Sequence, residues 1–314
     1  MSEPNPPASG RAPTLGVRVA AYAFAVFVLT TDQWSKQLAV DHLASPAHPM
    51  IVQADGTRSA VELLQERGLS AEQAERAVQS RLVWRLGAAG ALNLDTPARE
   101  VAGQLFVVEG TGKPAPRRLR VDPEAPAETL GEAMGRQWRV DADTAARLAP
   151  KVLAAEGVWT DASGAVPAGT AVALLEREVV VVDGFMTLVY AENPGAAWSF
   201  LRDAPVGFRT TFFSVIALLA SLAMIFAIWT GWMGSAAGTI ALGGILGGAL
   251  GNVIDRNRYT IVVDFVLNYV GDYRWPVWNI ADAGITIGVA AIIVEALLGM
   301  RSRAPEEGST STAA

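Results

Sequence analysis

The sequence predicts an all-α membrane core of four transmembrane helices, joined to a small extracytoplasmic β-hairpin or sheet and to an inserted soluble α+β domain. Three observations predict it. The 314 residues are 51% hydrophobic with a mean hydropathy of +0.28. Only 18% are charged, against about 25% in a soluble globular domain. Four apolar runs reach the roughly 20 residues that a hydrocarbon core demands, and a long charged stretch separates the first run from the other three.

Residues 1–16, rich in Pro, Ser and Gly, read as a disordered cytoplasmic tail. The first span covers residues 17–40. Its apolar run continues past a normal signal-peptide core into Thr31-Asp32-Gln33-Trp34-Ser35-Lys36, with no small-residue cleavage site there, so an uncleaved span is the better reading. Residues 41–178 form the inserted extracytoplasmic domain. A helix is expected over 60–86, interrupted at Gly68 and restarted by Ser70 as N-cap with Gln73 in the capping-box position. A strand follows over 104–109, then a Pro- and Arg-rich connection over 113–126 and a helix over 142–156. The stretch reads as free of internal repeats and of catalytic motifs.

Residues 179–300 form the rest of the core. Val179 to Val182 and Phe185 to Tyr190 flank Asp183-Gly184, which is a hairpin signal. Spans two, three and four are expected over 211–233, 236–254 and 277–300, and residues 301–314 form a second cytoplasmic tail. Arg11 and Arg18 before the first span, and Arg301 and Arg303 after the last, place both termini in the cytoplasm. Arg256 and Arg258 fall on the outer side against that rule, which a site role for Arg256 would excuse.

Composition also excludes function classes. The formal charge of -6 argues against nucleic acid as a partner, since phosphate binding needs a basic footprint. With no cysteine there is no disulfide, thiolate nucleophile or cysteine-ligated zinc. The two histidines, His42 and His48, are not in an HExxH arrangement. Neither a metal nor another cofactor is expected.

Ionisable groups within or beside apolar spans are costly and are functional candidates by default. Here they are Asp32, Lys36, Asp255, Arg256, Asp264 and Asp282, and the topology brings all of them to the outer end. Asp32 and Lys36 are four apart on a helix, and a simple mutual ion pair explains them equally well. Asn252 and Arg256 share a helix face by the same spacing. The glycines 243, 244, 247, 248 and 251 read as helix-packing positions. Asp264, in the outer connection, and Asp282, one to two turns into span four, each read alone as a satisfied cap or ion pair. Together they suggest more. Two carboxylates brought close in a poorly solvated site share a proton, so one acts as base toward water and the other as acid toward a peptide group. Ser35 and Lys36 offer a weaker serine–lysine alternative, because adjacent helix residues point apart.

Five segments in order carry a resemblance: Asp32-Gln33-Trp34-Ser35-Lys36, Asn193-Pro194-Gly195-Ala196-Ala197-Trp198, the run from Gly247 to Arg256, Val262-Val263-Asp264-Phe265, and Asn279-Ile280-Ala281-Asp282. The series resembles that of the lipoprotein signal peptidases (signal peptidase II). The resemblance implies an aspartyl endopeptidase of the bacterial cytoplasmic membrane, with four spans and both termini inside. It implies Asp264 and Asp282 as catalytic dyad, with Asp32, Lys36, Asn193, Gly195, Asn252, Asp255, Arg256 and Asn279 lining or supporting the site. The implied substrate is a diacylglyceryl-modified prolipoprotein, met in membrane lipid and cut just before its lipidated cysteine. Trp198 and Trp278 stand where the family often has Phe, and the inserted domain stands where it has a short connection. Two other functions compete: a small transporter using the buried charges as an ion path, and an anchored sensor whose inserted domain binds a ligand.

Overall fold

A computed structural model of the chain describes residues 12–46, 48–88, 93–101, 106–108, 117–118, 128–138, 142–193, 206–259 and 261–301. The chain divides into two compact units: Met1–Ser35, Gly207–Asn257 and Asn279–Ala314 in one, Lys36–Val206 and Arg258–Trp278 in the other.

The first unit is helical. Helices α1 (Leu15–His42), α6 (Val206–Thr230), α7 (Ala236–Tyr259) and α8 (Ile280–Arg301) each contain a run long and apolar enough to cross a membrane. The outward faces of α6 and α8 remain apolar; Phe226 and Ile287 are each 68% exposed, as befits a surface whose solvent is lipid. Helix α7 is the most buried of the four, and its glycines explain why. A Cβ at Gly243 or Gly247 would collide with the carbonyl oxygens of Ala21 and Ala25 on α1, and one at Gly248 with that of Ala281 on α8. Small residues thus let three backbones approach where lipid supplies no hydrophobic drive. Arg18 Nη1 donates to the Trp229 carbonyl at 2.6 Å, satisfying part of the open C-terminal turn of α6, and the Tyr22 hydroxyl donates to the Ile225 carbonyl one turn earlier at 2.9 Å. Span four begins later than its hydropathy suggests. Trp278 forms a β-bridge with Val266, and the helix starts only at Ile280, so Asp282 lies in its first turn.

Among the described residues, the second unit holds two antiparallel sheets. The smaller combines β7 (Val179–Val182), β8 (Met186–Asn193), β9 (Val262–Val270) and β10 (Tyr273–Arg274) in the order β10-β9-β8-β7. The Asp183-Gly184 hairpin is present, with Gly184 at φ 72° and Val182 paired to Met186. The sequence places Asp264 in a connection, but its run of β-branched neighbours instead forms a strand.

The larger sheet and its helices lie within the inserted stretch. Its elements are β1 (Met50–Gln53), α2 (Ala60–Glu66), α3 (Ala71–Gln79), β2 (Val83–Ala88), β3 (Phe106–Val108), β4 (Arg117–Arg118), α4 (Leu130–Trp138), α5 (Ala142–Leu148), β5 (Val152–Val158) and β6 (Ala171–Leu174). The sheet order is β1-β6-β2-β5-β3-β4. The expected Ser70–Gln73 capping box is formed, and a second one joins Ser59 and Glu62. Both long helices expected here are overdrawn. The first ends at Gln79 and gives way to β2, and the second ends at Leu148 and gives way to β5. Pairing of β2 with β5 and β6 satisfies both of its edges, which outweighs the helix propensity of either segment. Of the strand expected over 104–109, residues 106–108 are seen.

The inserted stretch leaves and returns at one bridge, Ala44 to Arg177, closed by backbone hydrogen bonds of 3.3 and 3.1 Å. The Arg177 guanidinium donates to the carbonyls of Arg67 and Gly68 at 2.9 and 3.0 Å, capping the C-terminal end of α2. The His48 ring stacks on Tyr190 of β8 with centroids 4.1 Å apart.

Candidate active site

The predicted site residues fall into two groups, one in each unit. In the helical unit, the first turn of α8 is the anchor. Asn279 precedes the helix and caps it reciprocally with Asp282: the Asp282 N–H donates to Asn279 Oδ1 at 3.0 Å, and the Asn279 N–H to Asp282 Oδ2 at 3.3 Å. The second carboxylate oxygen, Oδ1, accepts from Asn252 Nδ2 of α7 at 3.0 Å. Asn279 Nδ2 in turn donates to Asn252 Oδ1 at 3.3 Å. Two asparagines one helix apart therefore fix the orientation of a half-buried carboxylate, which also sits at the positive end of the α8 dipole.

Asp32 on α1 supports the same turn. It is fully buried, and its Oδ1 accepts the Ala281 N–H at 2.8 Å. A buried carboxylate is tolerated where backbone donors face it. Gln33 extends this contact. Its amide donates to Asp32 Oδ2 at 3.2 Å, to the Gly251 carbonyl at 3.2 Å and to Asp255 Oδ1 at 3.0 Å. Gln33 has no signal in the sequence beyond being a polar residue beside Asp32 in an apolar span. Arg256 Nη1 donates to the Asn252 carbonyl at 3.3 Å, and its guanidinium lies over the Phe213 ring, 5.1 Å from the centroid. The shared face expected for Asn252 and Arg256 is thus realised through the backbone.

In the sheet unit, Asp264 lies on β9, is 3% exposed and accepts from Asn193 Nδ2 at 3.0 Å through its Oδ2. Asn193 ends β8, and the pairing of Ala191 with Asp264 and Asn193 with Val262 sets the register that brings amide to carboxylate. Lys36, buried on α1, falls in this unit as well. Gly195 and Trp198 lie outside the described residues. On the next residue of β9, the Phe265 N–H donates to the Trp278 carbonyl at 3.1 Å, and the chain passes from Trp278 directly to Asn279.

Each group presents one carboxylate held by an asparagine side chain.

Known proteins resemble the chain over its second half. The family model for signal peptidase (SPase) II matches residues 166–298. The lipoprotein signal peptidase of Syntrophus aciditrophicus is 40% identical over 121 residues, 38% of this chain and 75% of that protein. That of Geobacter sulfurreducens is 38% identical over 133 residues, 42% of this chain and 81% of its own. A bacterial membrane enzyme solved by the in meso method at 2.3 Å resolution shares 30% identity, covering 42% of this chain and 77% of its own, with a TM-score of 0.37. With 40% identity spanning three quarters of a relative's length, the chain belongs to the lipoprotein signal peptidase family.

Proposed function

We propose that the chain is an aspartic endopeptidase of the bacterial cytoplasmic membrane that removes signal peptides from diacylglyceryl-modified prolipoproteins, with Asp264 and Asp282 as its catalytic pair. The observation that carries the assignment is the duplicated arrangement of carboxylate and asparagine: Asp264 with Asn193, and Asp282 with Asn252 and Asn279.

In this reading the pair holds one proton. The ionised carboxylate takes a proton from water, whose oxygen attacks the scissile carbonyl carbon while the protonated carboxyl gives its proton to the carbonyl oxygen, leaving a tetrahedral diol. The carboxyl that gained the water proton then donates it to the departing amide nitrogen, the other carboxylate takes a proton back from the diol as the C–N bond breaks, and the pair is left with its single proton restored. Asn193 and Asn252 keep each acceptor lone pair oriented through the cycle. Asp32, Lys36, Asp255, Arg256 and Gly195 support the surrounding frame. The site lies near the outer face with both termini cytoplasmic, so that water reaches the carboxylates while the substrate's acyl chains stay in the bilayer. The inserted domain, residues 41–178, is dispensable for the chemistry.

Purified full-length protein in detergent, incubated with prolipoprotein that carries or lacks the diacylglyceryl group, tests this. A size shift is expected for the modified substrate, unaffected by chelators or thiol reagents. No shift with the modified substrate contradicts the proposal.

A further inference from the structure

The inserted stretch reads in sequence as free of repeats, but its fold does not. In the order β1-β6-β2-β5-β3-β4, the strands β1, β2 and β3 take the first, third and fifth places counted from one edge. Strands β4, β5 and β6 take the same places counted from the other edge. Among the described residues each set runs strand, two α-helices, strand, strand along the chain, with a short 3-10 turn before the third strand of the first set and before the second strand of the other.

The correspondence reaches single residues. Ser59 and Glu62 cap α2 reciprocally, and Thr129 and Glu132 do the same for α4, with bonds of 2.7 and 3.2 Å in the first and 2.9 and 3.2 Å in the second. Ser59 bridges Ala165, and Thr129 bridges Pro97. Beside those bridges the Val166 N–H donates to the Arg58 carbonyl at 2.8 Å, and the Ala98 N–H to that of Glu128 at 2.7 Å. Asn93 and Asp161 open matching turns, accepting from the N–H two residues on, Asp95 and Ser163, each at 3.0 Å. The buried positions Ala60, Leu64, Ala74, Ala77 and Val83 recur as Leu130, Met134, Ala145, Leu148 and Val152, in two separate core clusters.

One feature departs from two copies side by side. The third strand of each set pairs with the other set: β3 lies against β5, while β6 lies between β1 and β2. We infer that residues 50–174 are a tandem duplication of one β-α-α-β-β unit whose copies have exchanged their third strands, so that neither sheet half is complete alone and the two open as one body. Withdrawing β6 would strip β1 and β2 of partners at once, and withdrawing β3 would expose β5 and β4. Exchange of an identical element is a low-cost way to join two copies, and it places their opening in a single cooperative unit. The inserted domain therefore has no half that lifts away as a flap, and any motion at the Ala44–Arg177 bridge carries all of it.

Hydrogen exchange read by mass spectrometry on the full-length protein in detergent tests this, using Leu64→Ala in one copy and Met134→Ala in the other. Either deletion from a closed core is expected to speed exchange roughly a hundredfold, and to do so equally over residues 50–88 and 171–174 and over 93–101 and 152–158. Acceleration confined to the mutated copy's own core would overturn the inference. Should a variant fail to fold, the otherwise native chain still decides. It contains no cysteine, so Val107→Cys with Leu153→Cys, and Trp84→Cys with Ala173→Cys, are clean cross-linking pairs. Both are expected to form disulfides within one chain, and failure of either contradicts the exchanged pairing.

Discussion

Asp282 and Asp264 are both held by asparagine amides, yet different physics positions them. Around Asp282, close contact between helix backbones sets the geometry, and it depends on glycines that admit no side chain. Around Asp264, strand register sets it, and the same ladder of backbone hydrogen bonds would form with many side chains. The helical half should therefore fail sharply when crowded, and the sheet half should tolerate crowding but not a change of register.

The largest effect should come from the carboxylates themselves. Asp264→Asn and Asp282→Asn are each expected to lower turnover by about 10³ or more while leaving the protein folded and inserted, because an amide neither takes nor releases the proton. Cleavage assays beside circular dichroism would check this. Gly247→Leu comes next. Its side chain would drive into the Ala25 carbonyl of α1, and overpacking of this kind costs about 1–3 kcal/mol or more. Gly184→Ala in the β7–β8 turn meets open space and only the strain of φ 72°, about 1–2 kcal/mol. Thermal melts in detergent should show a clearly larger loss for Gly247→Leu.

Asn252→Ala and Asn193→Ala separate the two supports. A hydrogen bond to a charged group contributes about 1.5–3 kcal/mol, so each should slow turnover by roughly ten- to a hundredfold. Asn252→Ala should cost more, since it also releases Asn279. Replacing the chain between Ala44 and Arg177 by a short Gly/Ser linker should leave cleavage within about twofold, because no residue assigned to the chemistry lies there. Altered preference among substrates would identify the domain as a gate, and complete loss in a well-folded variant would contradict its dispensability.

The smallest effect is one of pH. The Thr57 N–H and hydroxyl hold the exposed Asp55 carboxyl at about 2, below its ordinary 3.8. Its stabilising contribution is fully present above pH 3.8 and is lost as pH falls through about 2. Glu178 behaves in the opposite sense. Burial, reinforced by Glu176, raises its pKa above 4.5, so its contribution is present below 4.5 and is lost as pH rises through the raised value. Asp55→Asn should therefore flatten the acid limb of a pH–stability curve, and Glu178→Gln the limb above it.

Much of this was legible in the sequence. The four spans follow from length and hydropathy, and the Ser70 cap and the Asp183-Gly184 turn follow from local chemistry. The ends of the helices in the inserted domain did not, because β2 and β5 are fixed by partners distant in the chain. Arg81 at φ 61° marks where the first helix breaks, a conformation that residue type alone does not announce. The duplication was hidden for a related reason. Its copies share caps, burial and turns, while the core side chains themselves differ, as Leu64 and Met134 show. For the site, carboxylates and asparagines stood out because polar groups beside apolar spans are rare. Gln33 did not, because its role depends on how closely α1 approaches α7.

Proximity of the two carboxylate positions is the central claim, and cross-linking tests it most directly. In the cysteine-free chain, Asp264→Cys with Asp282→Cys would be treated with a short thiol-specific cross-linker. Asn193→Cys with Asp264→Cys, and Asn252→Cys with Asp282→Cys, replace side chains bonded at 3.0 Å and serve as references. The Asp264/Asp282 pair is expected to cross-link within one chain as readily as both references. References that cross-link beside an Asp264/Asp282 pair that is labelled only singly would contradict it.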